Sequence, residues 1–203
     1  MRTLDIYDRD AHVWLDPVAM PFNPEYLEEN VSETRIWILR DVHRCSGCRL
    51  CEVACSLRHE NAIWPEASRI RIFEPVPGVC VPHLCAQCPD YPCVHACKTG
   101  AMEVDERTGA VVVDEEKCVG CGECVEACPG SVPVLHPTRG KALVCDLCGG
   151  EPACVEICSK AGYGALRAIR GVPEELRRVY AADPLEIAER LCSSYYGELV
   201  EGP

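Results

Sequence analysis

Short apolar runs in a polar background predict a chain of short strands and helices. Residues 36–39 are all apolar and predict one strand, and the arginine and apolar residues that alternate at 69–73 predict a half-exposed second strand. Two β-prone runs at 101–104 and 111–113 flank a polar turn that contains glycine, which predicts a hairpin. The apolar residues after Gly164 repeat this plan.

The two ends of the chain differ in composition from its middle. Residues 1–34 contain no cysteine and are rich in proline and acidic side chains, which predicts an extended arm. Near the other end, Pro173 and Asp183 mark the starts of two predicted helices. We therefore expect three parts: the arm, a central domain over residues 35–170, and a helical tail over residues 171–203.

Cysteine dominates the central part. Sixteen of the 18 cysteines fall into four quartets that each close with a three-residue gap. The first and third quartets have the spacing C-x2-C-x2-C-x3-C, and Pro129 completes the third as the bacterial run associated with [4Fe–4S] clusters. The second and fourth have a longer middle gap. The quartets are Cys45, Cys48, Cys51 and Cys55; Cys85, Cys88, Cys93 and Cys97; Cys118, Cys121, Cys124 and Cys128; and Cys145, Cys148, Cys154 and Cys158.

This spacing predicts four [4Fe–4S] clusters. Three thiolates of a C-x2-C-x2-C loop can converge on three iron corners, while the fourth ligand comes from elsewhere in the chain. The chain has only two phenylalanines, so its apolar core is small and bound metal is expected to be part of the fold. Cys80 and Cys192 lie outside the quartets and are expected to be buried thiols.

Disulfides and zinc are the alternatives to iron–sulfur clusters. The charged first ten residues contain no apolar signal region, and three cysteines crowd within seven residues, both of which disfavour disulfides. Structural zinc uses C-x2-C pairs but would leave the last two cysteines of each quartet unexplained. We expect His43, His59, His83 and His95 to donate hydrogen bonds or exclude solvent rather than to bind metal.

The charge of the chain indicates which partners are disfavoured, and its composition predicts where the protein is located. A formal net charge of −12 disfavours nucleic acid, whose phosphates require a basic face. No apolar run approaches the length of a membrane span, which is about 18 residues. A chain with this many free thiols and no signal region is expected to be soluble and cytoplasmic.

Residues 36–170 resemble the four-cluster electron-transfer subunits of the dimethyl sulfoxide reductase and formate dehydrogenase group. The motifs at 45–55, 87–93 and 145–150, with His59 and the segment 68–72, look most like polyferredoxin subunits that accompany tungsten-containing aldehyde oxidoreductases. The resemblance implies an α+β, tandem ferredoxin-like fold, in which two bacterial dicluster ferredoxin units interlock.

The same resemblance implies crossed ligation, in which quartets one and four exchange their last cysteines and quartets two and three do likewise. The four implied ligand sets are Cys45, Cys48, Cys51 and Cys158; Cys145, Cys148, Cys154 and Cys55; Cys85, Cys88, Cys93 and Cys128; and Cys118, Cys121, Cys124 and Cys97.

The expected function is a relay of single electrons between a catalytic tungsten or molybdenum oxidoreductase and an electron carrier or further redox subunit. Every cluster can be fully ligated, and no radical-enzyme or nucleotide-binding motif is present, so catalysis is expected to belong to another chain. Two alternatives remain open. One is a subunit of a hydrogenase, formate dehydrogenase or carbon monoxide dehydrogenase, and the other is a free-standing iron–sulfur interaction module.

Overall fold

The computed structural model describes residues 6–8, 13–15, 35–170, 172 and 174–196. Its strands are short and pair as two-stranded antiparallel ladders. In chain order the strands are β1 (Ile6–Asp8), β2 (Val13–Leu15), β3 (Ile36–Arg40), β4 (Arg71–Val76), β5 (Val79–His83), β6 (Met102–Val104), β7 (Val111–Val113), β8 (Val134–Leu135), β9 (Ala142–Leu143) and β10 (Leu166–Arg170). The helices are α1 (Leu50–Glu60), α2 (Pro92–His95), α3 (Glu123–Glu126), α4 (Ala153–Lys160), α5 (Glu174–Val179) and α6 (Pro184–Tyr196), with 3₁₀ turns at Pro65–Ala67 and Leu147–Gly150.

A local hairpin separates each pair of consecutive quartets. The ladders β4–β5, β6–β7 and β8–β9 follow the first, second and third quartets in turn. The hairpin predicted around residues 101–113 is confirmed, and its turn closes where the Gly109 amide donates to the Asp105 carbonyl oxygen at 2.7 Å. Gly109 has a φ of 74°, a backbone conformation that glycine adopts without a steric penalty.

The strand after the fourth quartet pairs differently from the expected repeat of this hairpin. β10 pairs with β3, which precedes the first quartet, in an antiparallel register that sets Leu166 opposite Arg40. The expected local hairpin after Gly164 is therefore wrong, because the partner strand comes from the other end of the cysteine region. This ladder brings the first and fourth quartets together, and α1 packs against α4 while α2 packs against α3.

Cysteine side chains form much of the two central cores. The first core combines four quartet cysteines with aliphatic residues of β3, β4 and the fourth quartet, and the second surrounds the β6–β7 hairpin. The buried quartet cysteines are Cys51, Cys55, Cys145 and Cys154 in the first core and Cys93, Cys118 and Cys124 in the second. The small apolar content expected from the sequence is thus supplemented by sulfur.

A partly buried network around Glu60 ties the end of α1 to the turn between β8 and β9. The Glu60 carboxylate accepts hydrogen bonds from Arg139 Nη1 at 2.8 Å and from His136 Nε2 at 3.2 Å. The hydrogen bond from Arg139 is the largest cause that lowers the pKa of Glu60 to about 2. Because α1 carries Cys51 and Cys55, the network fixes the first quartet against the segment that leads into the fourth.

The chain ends show one unpredicted element and one confirmed helix cap. Within the predicted extended arm, β1 and β2 pair as a ladder, so this part of the arm folds back on itself; the other arm residues lie outside the described ones. At the start of α6 the Asp183 carboxylate accepts a hydrogen bond from the Leu185 amide at 2.9 Å, as expected for a helix cap. Among the described residues, no helix combines the length and apolarity required to cross a bilayer.

The buried face of α6 gives a test of how the tail is held. Replacing Leu191, which is 1% exposed, with alanine should destabilise the docking of α6 by about 2–5 kcal/mol because it leaves a cavity. The same change at Leu185, which is 52% exposed on the same helix, should alter stability by at most about 0.5 kcal/mol. Native-state hydrogen exchange of the α6 amides measures the difference, and equal protection in both variants would contradict this packing.

Candidate metal centres

Site A consists of Cys45, Cys48, Cys51 and Cys158, which together line one pocket. Three of these cysteines come from the first quartet, and the fourth is the last cysteine of the fourth quartet. The packing of α1 against α4 brings them together. The pocket wall is otherwise mainly apolar, and Cys48 is its exposed member.

Site B consists of Cys55, Cys145, Cys148 and Cys154 and is the most deeply buried of the four groups. Burial is the main cause that raises the pKa of Cys154 well above its usual value, and the neighbouring thiols of Cys55 and Cys148 raise it further. Cys145 is also fully buried, with Cys154 and Cys55 among its electrostatic neighbours. The last cysteine of the first quartet therefore lies with the first three of the fourth.

Site C consists of Cys85, Cys88, Cys93 and Cys128, which line a second mainly apolar pocket. The first three belong to the second quartet and the fourth closes the third quartet. Two backbone amides donate hydrogen bonds to these sulfurs, from Gln87 to Cys85 and from Val132 to Cys128, both at 3.4 Å.

Site D consists of Cys97, Cys118, Cys121 and Cys124, which line a third pocket. Here the last cysteine of the second quartet joins the first three of the third. The Ala142 amide donates to Cys118 Sγ at 3.4 Å, and the Thr99 hydroxyl lies 3.6 Å from Cys97 Sγ. Burial tends to raise the pKa of Cys97, but hydrogen bonds from Thr99 and nearby backbone amides outweigh it and lower that pKa.

An unusual backbone conformation recurs in all four quartets. The residue immediately before the second cysteine has a positive φ in each case: 69° at Gly47, 46° at Gln87, 70° at Gly120 and 54° at Leu147. Glycine adopts this conformation readily, whereas Gln87 and Leu147 hold it at a steric cost. Strain of this kind persists where the surrounding structure requires it, here at the loops that bring two cysteines into one group.

The four groups form an unbroken series in the order A, B, C, D. Cys51 of site A is an electrostatic neighbour of Cys154 in site B. Cys85 of site C is a neighbour of Cys145 in site B, and it packs against both central cores. Cys124 of site D is likewise a neighbour of Cys93 in site C. Exposed cysteines occur at the two ends of the series only, as Cys48 and Cys121.

The donor atoms and their surroundings fit [4Fe–4S] clusters. Burial is the largest cause that raises the pKa to about 12 for Cys51, Cys85 and Cys93, and to about 11 for Cys45 and Cys88. Thiolates at such positions require a compensating cation, and iron supplies it. Each group offers four sulfurs, apolar walls surround three of the groups, and amide donors such as Arg69 N to Cys55 Sγ at 3.2 Å stabilise the charged ligands.

The other residues singled out from the sequence divide into buried and exposed groups. His59 lies beside site B, with Nε2 3.6 Å from Cys148 Sγ and 3.4 Å from Asp146, while His83 is buried and contacts the Gly130 carbonyl oxygen. His43 and His95 are exposed. Cys80 and Cys192 are buried, as expected, at 7% exposure each.

Two contacts near the sites had no signal in the sequence. Cys80 is among the electrostatic neighbours of Cys45, so a fifth thiol borders site A. Arg40, which is 1% exposed, lies near Cys85, Cys145 and Cys88 at the junction of sites B and C. A single arginine after an apolar strand is usually a surface residue, which is why its burial was not expected.

A mixed α/β fold with cysteine groups of this kind defines a [4Fe–4S] iron–sulfur protein. A family model described as a 4Fe-4S dicluster domain matches residues 76–164. The polyferredoxin-like subunit of an aliphatic sulfonate oxidoreductase from Pyrococcus furiosus is 58% identical over 172 residues, which cover 85% of this chain and 99% of that protein. The chain therefore belongs to the polyferredoxin-like iron–sulfur subunits that transfer electrons in oxidoreductases.

More distant relatives carry related descriptions. The thiosulfate reductase electron transfer subunit PhsB of Salmonella typhi is 38% identical over 138 residues, covering 60% of this chain and 70% of that protein. The NrfC homolog of Haemophilus influenzae is 33% identical over 152 residues, covering 66% of this chain and 67% of that protein.

Removal of iron should loosen the protein unevenly. An anaerobic chelator leaves the buried thiols of the two central cores without a cation, so amides of β3, β6, β7 and β10 should lose much of their hydrogen-exchange protection. Helix α6 is an internal control, because Ile187, Ala188 and Leu191 pack on a cluster that contains no quartet cysteine. Unchanged protection of the β6–β7 hairpin after full iron loss would contradict a structural role for the metal.

Proposed function

We propose that the chain relays single electrons through four [4Fe–4S] clusters between the catalytic subunit of an oxidoreductase and an electron carrier or further redox subunit. One observation carries the proposal: sixteen cysteines gather in four groups that follow one another as A, B, C and D. Such a series suits stepwise transfer, and the exposed cysteines at its two ends suit electron entry and exit.

In this proposal each group ligates one cluster, with the crossed exchange of last cysteines between quartets. The pocket shared by the cysteines of site A, the β3–β10 ladder and the packing of α1 on α4 support the pairing of quartets one and four. The pocket lining of sites C and D and the packing of α2 on α3 support the pairing of quartets two and three. Residues 35–170 then form two interlocked ferredoxin-like units, flanked by the arm at 1–34 and the tail at 171–203.

The chain's own residues hold the ligands, exclude water and adjust charge. When bound, each cluster accepts and returns one electron without forming or breaking a bond to substrate. The apolar walls keep water from the sulfurs, and amides such as that of Val132 donate to thiolates and favour the reduced state. Since all sixteen ligand positions are filled by this chain, no iron is left open, and the chain is proposed to be non-catalytic.

The proposed catalytic partner is a cytoplasmic tungsten or molybdenum oxidoreductase. The resemblance of the motifs at 45–55 and 87–93 favours an aldehyde-oxidising partner. The description of the 58% identical relative instead favours an aliphatic sulfonate as the substrate class. Both candidates assign the substrate chemistry to the partner and the relay to this chain, so the identity of the substrate does not alter the role proposed here.

The crossed ligation is tested by reciprocal pairs of substitutions. In the double variant Cys45→Ala/Cys158→Ala both losses fall in site A, so about 12 of about 16 irons should remain, since each cluster holds four. The matched double variant Cys45→Ala/Cys55→Ala removes ligands from sites A and B, so only about 8 irons should remain. Iron and sulfide analysis of the anaerobically purified proteins measures both. Quartets that each close on their own cluster would give the opposite order.

The relay is tested on the complex purified anaerobically from its native source. The wild-type chain should co-purify with a subunit that contains tungsten or molybdenum, and substrate added to the complex should reduce the clusters of this chain. A redox titration followed by EPR should show reversible reduction within the range of iron–sulfur proteins, roughly −700 to +450 mV. Nickel in place of tungsten or molybdenum would indicate a hydrogenase-type or carbon monoxide dehydrogenase partner, and clusters that never reduce would end the relay proposal in favour of a structural module.

A further inference from the structure

Arg40 is the last residue of β3 and one of the most deeply buried side chains in the described part of the protein. It is 1% exposed, and its electrostatic neighbours include Cys85 and Cys88 of site C and Cys145 of site B. The guanidinium therefore lies at the junction where the two pairs of sites meet. The β3–β10 ladder fixes the backbone at this position, because Arg40 pairs with Leu166.

The hydrogen bonds of this guanidinium are incomplete. Nη1 donates to the Tyr180 carbonyl oxygen at 3.0 Å, whereas Nε and Nη2 are buried without a partner. The guanidinium carbon lies 5.7 Å from the ring centre of Trp37 and 5.1 Å from that of Tyr180. No carboxylate among the described residues forms an ion pair with it. A buried arginine normally has such a partner, so the missing opposite charge points to the neighbouring metal sites.

The side chain keeps its charge despite this burial. Burial lowers the pKa of Arg40 to about 10, against the opposing effect of Tyr180 and the neighbouring thiols, so the group is a cation at neutral pH. Four thiolates around a [4Fe–4S] core form an anionic group, and an added electron makes it more negative by one charge. A fixed cation nearby favours the more negative state, and this effect is large where water is excluded.

We propose that Arg40 is a positioning residue that raises the reduction potential of the clusters at sites B and C and donates its free N–H groups toward them. The inference rests on the proposed relay. Electrons would then be favoured at the junction between the two cluster pairs.

The competing explanation is that Arg40 only holds the tail. Its hydrogen bond to Tyr180 and its ring contacts fix residue 180 against β3, and any substitution would weaken them. Charge separates the two roles. Arg40→Lys keeps the cation but loses the ring contacts and the planar donor geometry, whereas Arg40→Met keeps an unbranched apolar side chain but removes the cation.

The experiment is a redox titration by EPR of the fully loaded wild type, Arg40→Met and Arg40→Lys, with Arg178→Met as a matched control. Arg178 is also an electrostatic neighbour of Cys88, but its side chain is 53% exposed and paired with Asp90 at 3.2 Å. Arg40→Met should lower the equilibrium constant for reduction of two clusters by at least about tenfold, equivalent to about 59 mV for one electron. Arg40→Lys and Arg178→Met should each change it by less than about threefold.

Unchanged potentials in Arg40→Met, or shifts of equal size in Arg40→Met and Arg40→Lys, would overturn the proposal and leave the tail contact as the role of Arg40. These results would leave the proposed electron relay unaffected. The relay proposal fails only if the wild-type clusters do not reduce.

A second measurement takes its main result from the wild-type protein. Wild-type protein labelled with ¹⁵N only in the arginine guanidinium groups should show, by pulsed EPR of the reduced state, a ¹⁵N coupled to the spin of a central cluster. One such coupling should disappear in Arg40→Lys and persist in Arg178→Met, and the loss of no coupling in Arg40→Lys would refute the proposed contact.

Discussion

Burial of thiolates is the constraint on which this structure depends. Sixteen sulfurs lie in four groups, three of which have mainly apolar walls, and burial raises the pKa of thiols such as Cys51 and Cys85 to about 12. Without metal these side chains are neutral, weakly hydrogen-bonded groups in two cores that contain few large apolar residues. Iron reverses that situation, because sulfur–iron bonds compensate the charge of the thiolates and replace their lost hydration.

The topology of the chain follows from where those sulfurs must meet. Local hairpins separate consecutive quartets. The β3–β10 ladder then joins the two ends of the cysteine region, and the Glu60 network adds a second tie between α1 and the β8–β9 turn. The proposed exchange of the last cysteine between quartets is consistent with these contacts, which bring the same elements together.

The junction of sites B and C differs from the two outer sites in charge and in access to solvent. Cys48 and Cys121 are exposed at the ends of the series, whereas the central sites have no exposed cysteine. Arg40 is a buried cation that has three thiols of the central sites among its electrostatic neighbours. The whole protein is acidic, with a net charge of −12, so a buried cation at this position is opposite in sign to the net charge of the protein.

Local patterns were sufficient for part of this description. The β3 strand, the β6–β7 hairpin and the Asp183 cap each depend on neighbouring residues, so periodicity and turn chemistry predict them. Cysteine spacing likewise determines the class of cofactor, because three sulfurs within seven residues can reach one iron cube. The pairing of β10 with β3, the positive φ of Gln87 and Leu147, and the burial of Arg40 depend on residues far apart in the chain. Only the tertiary structure decides these features, because contacts between distant segments leave no local periodicity in the sequence.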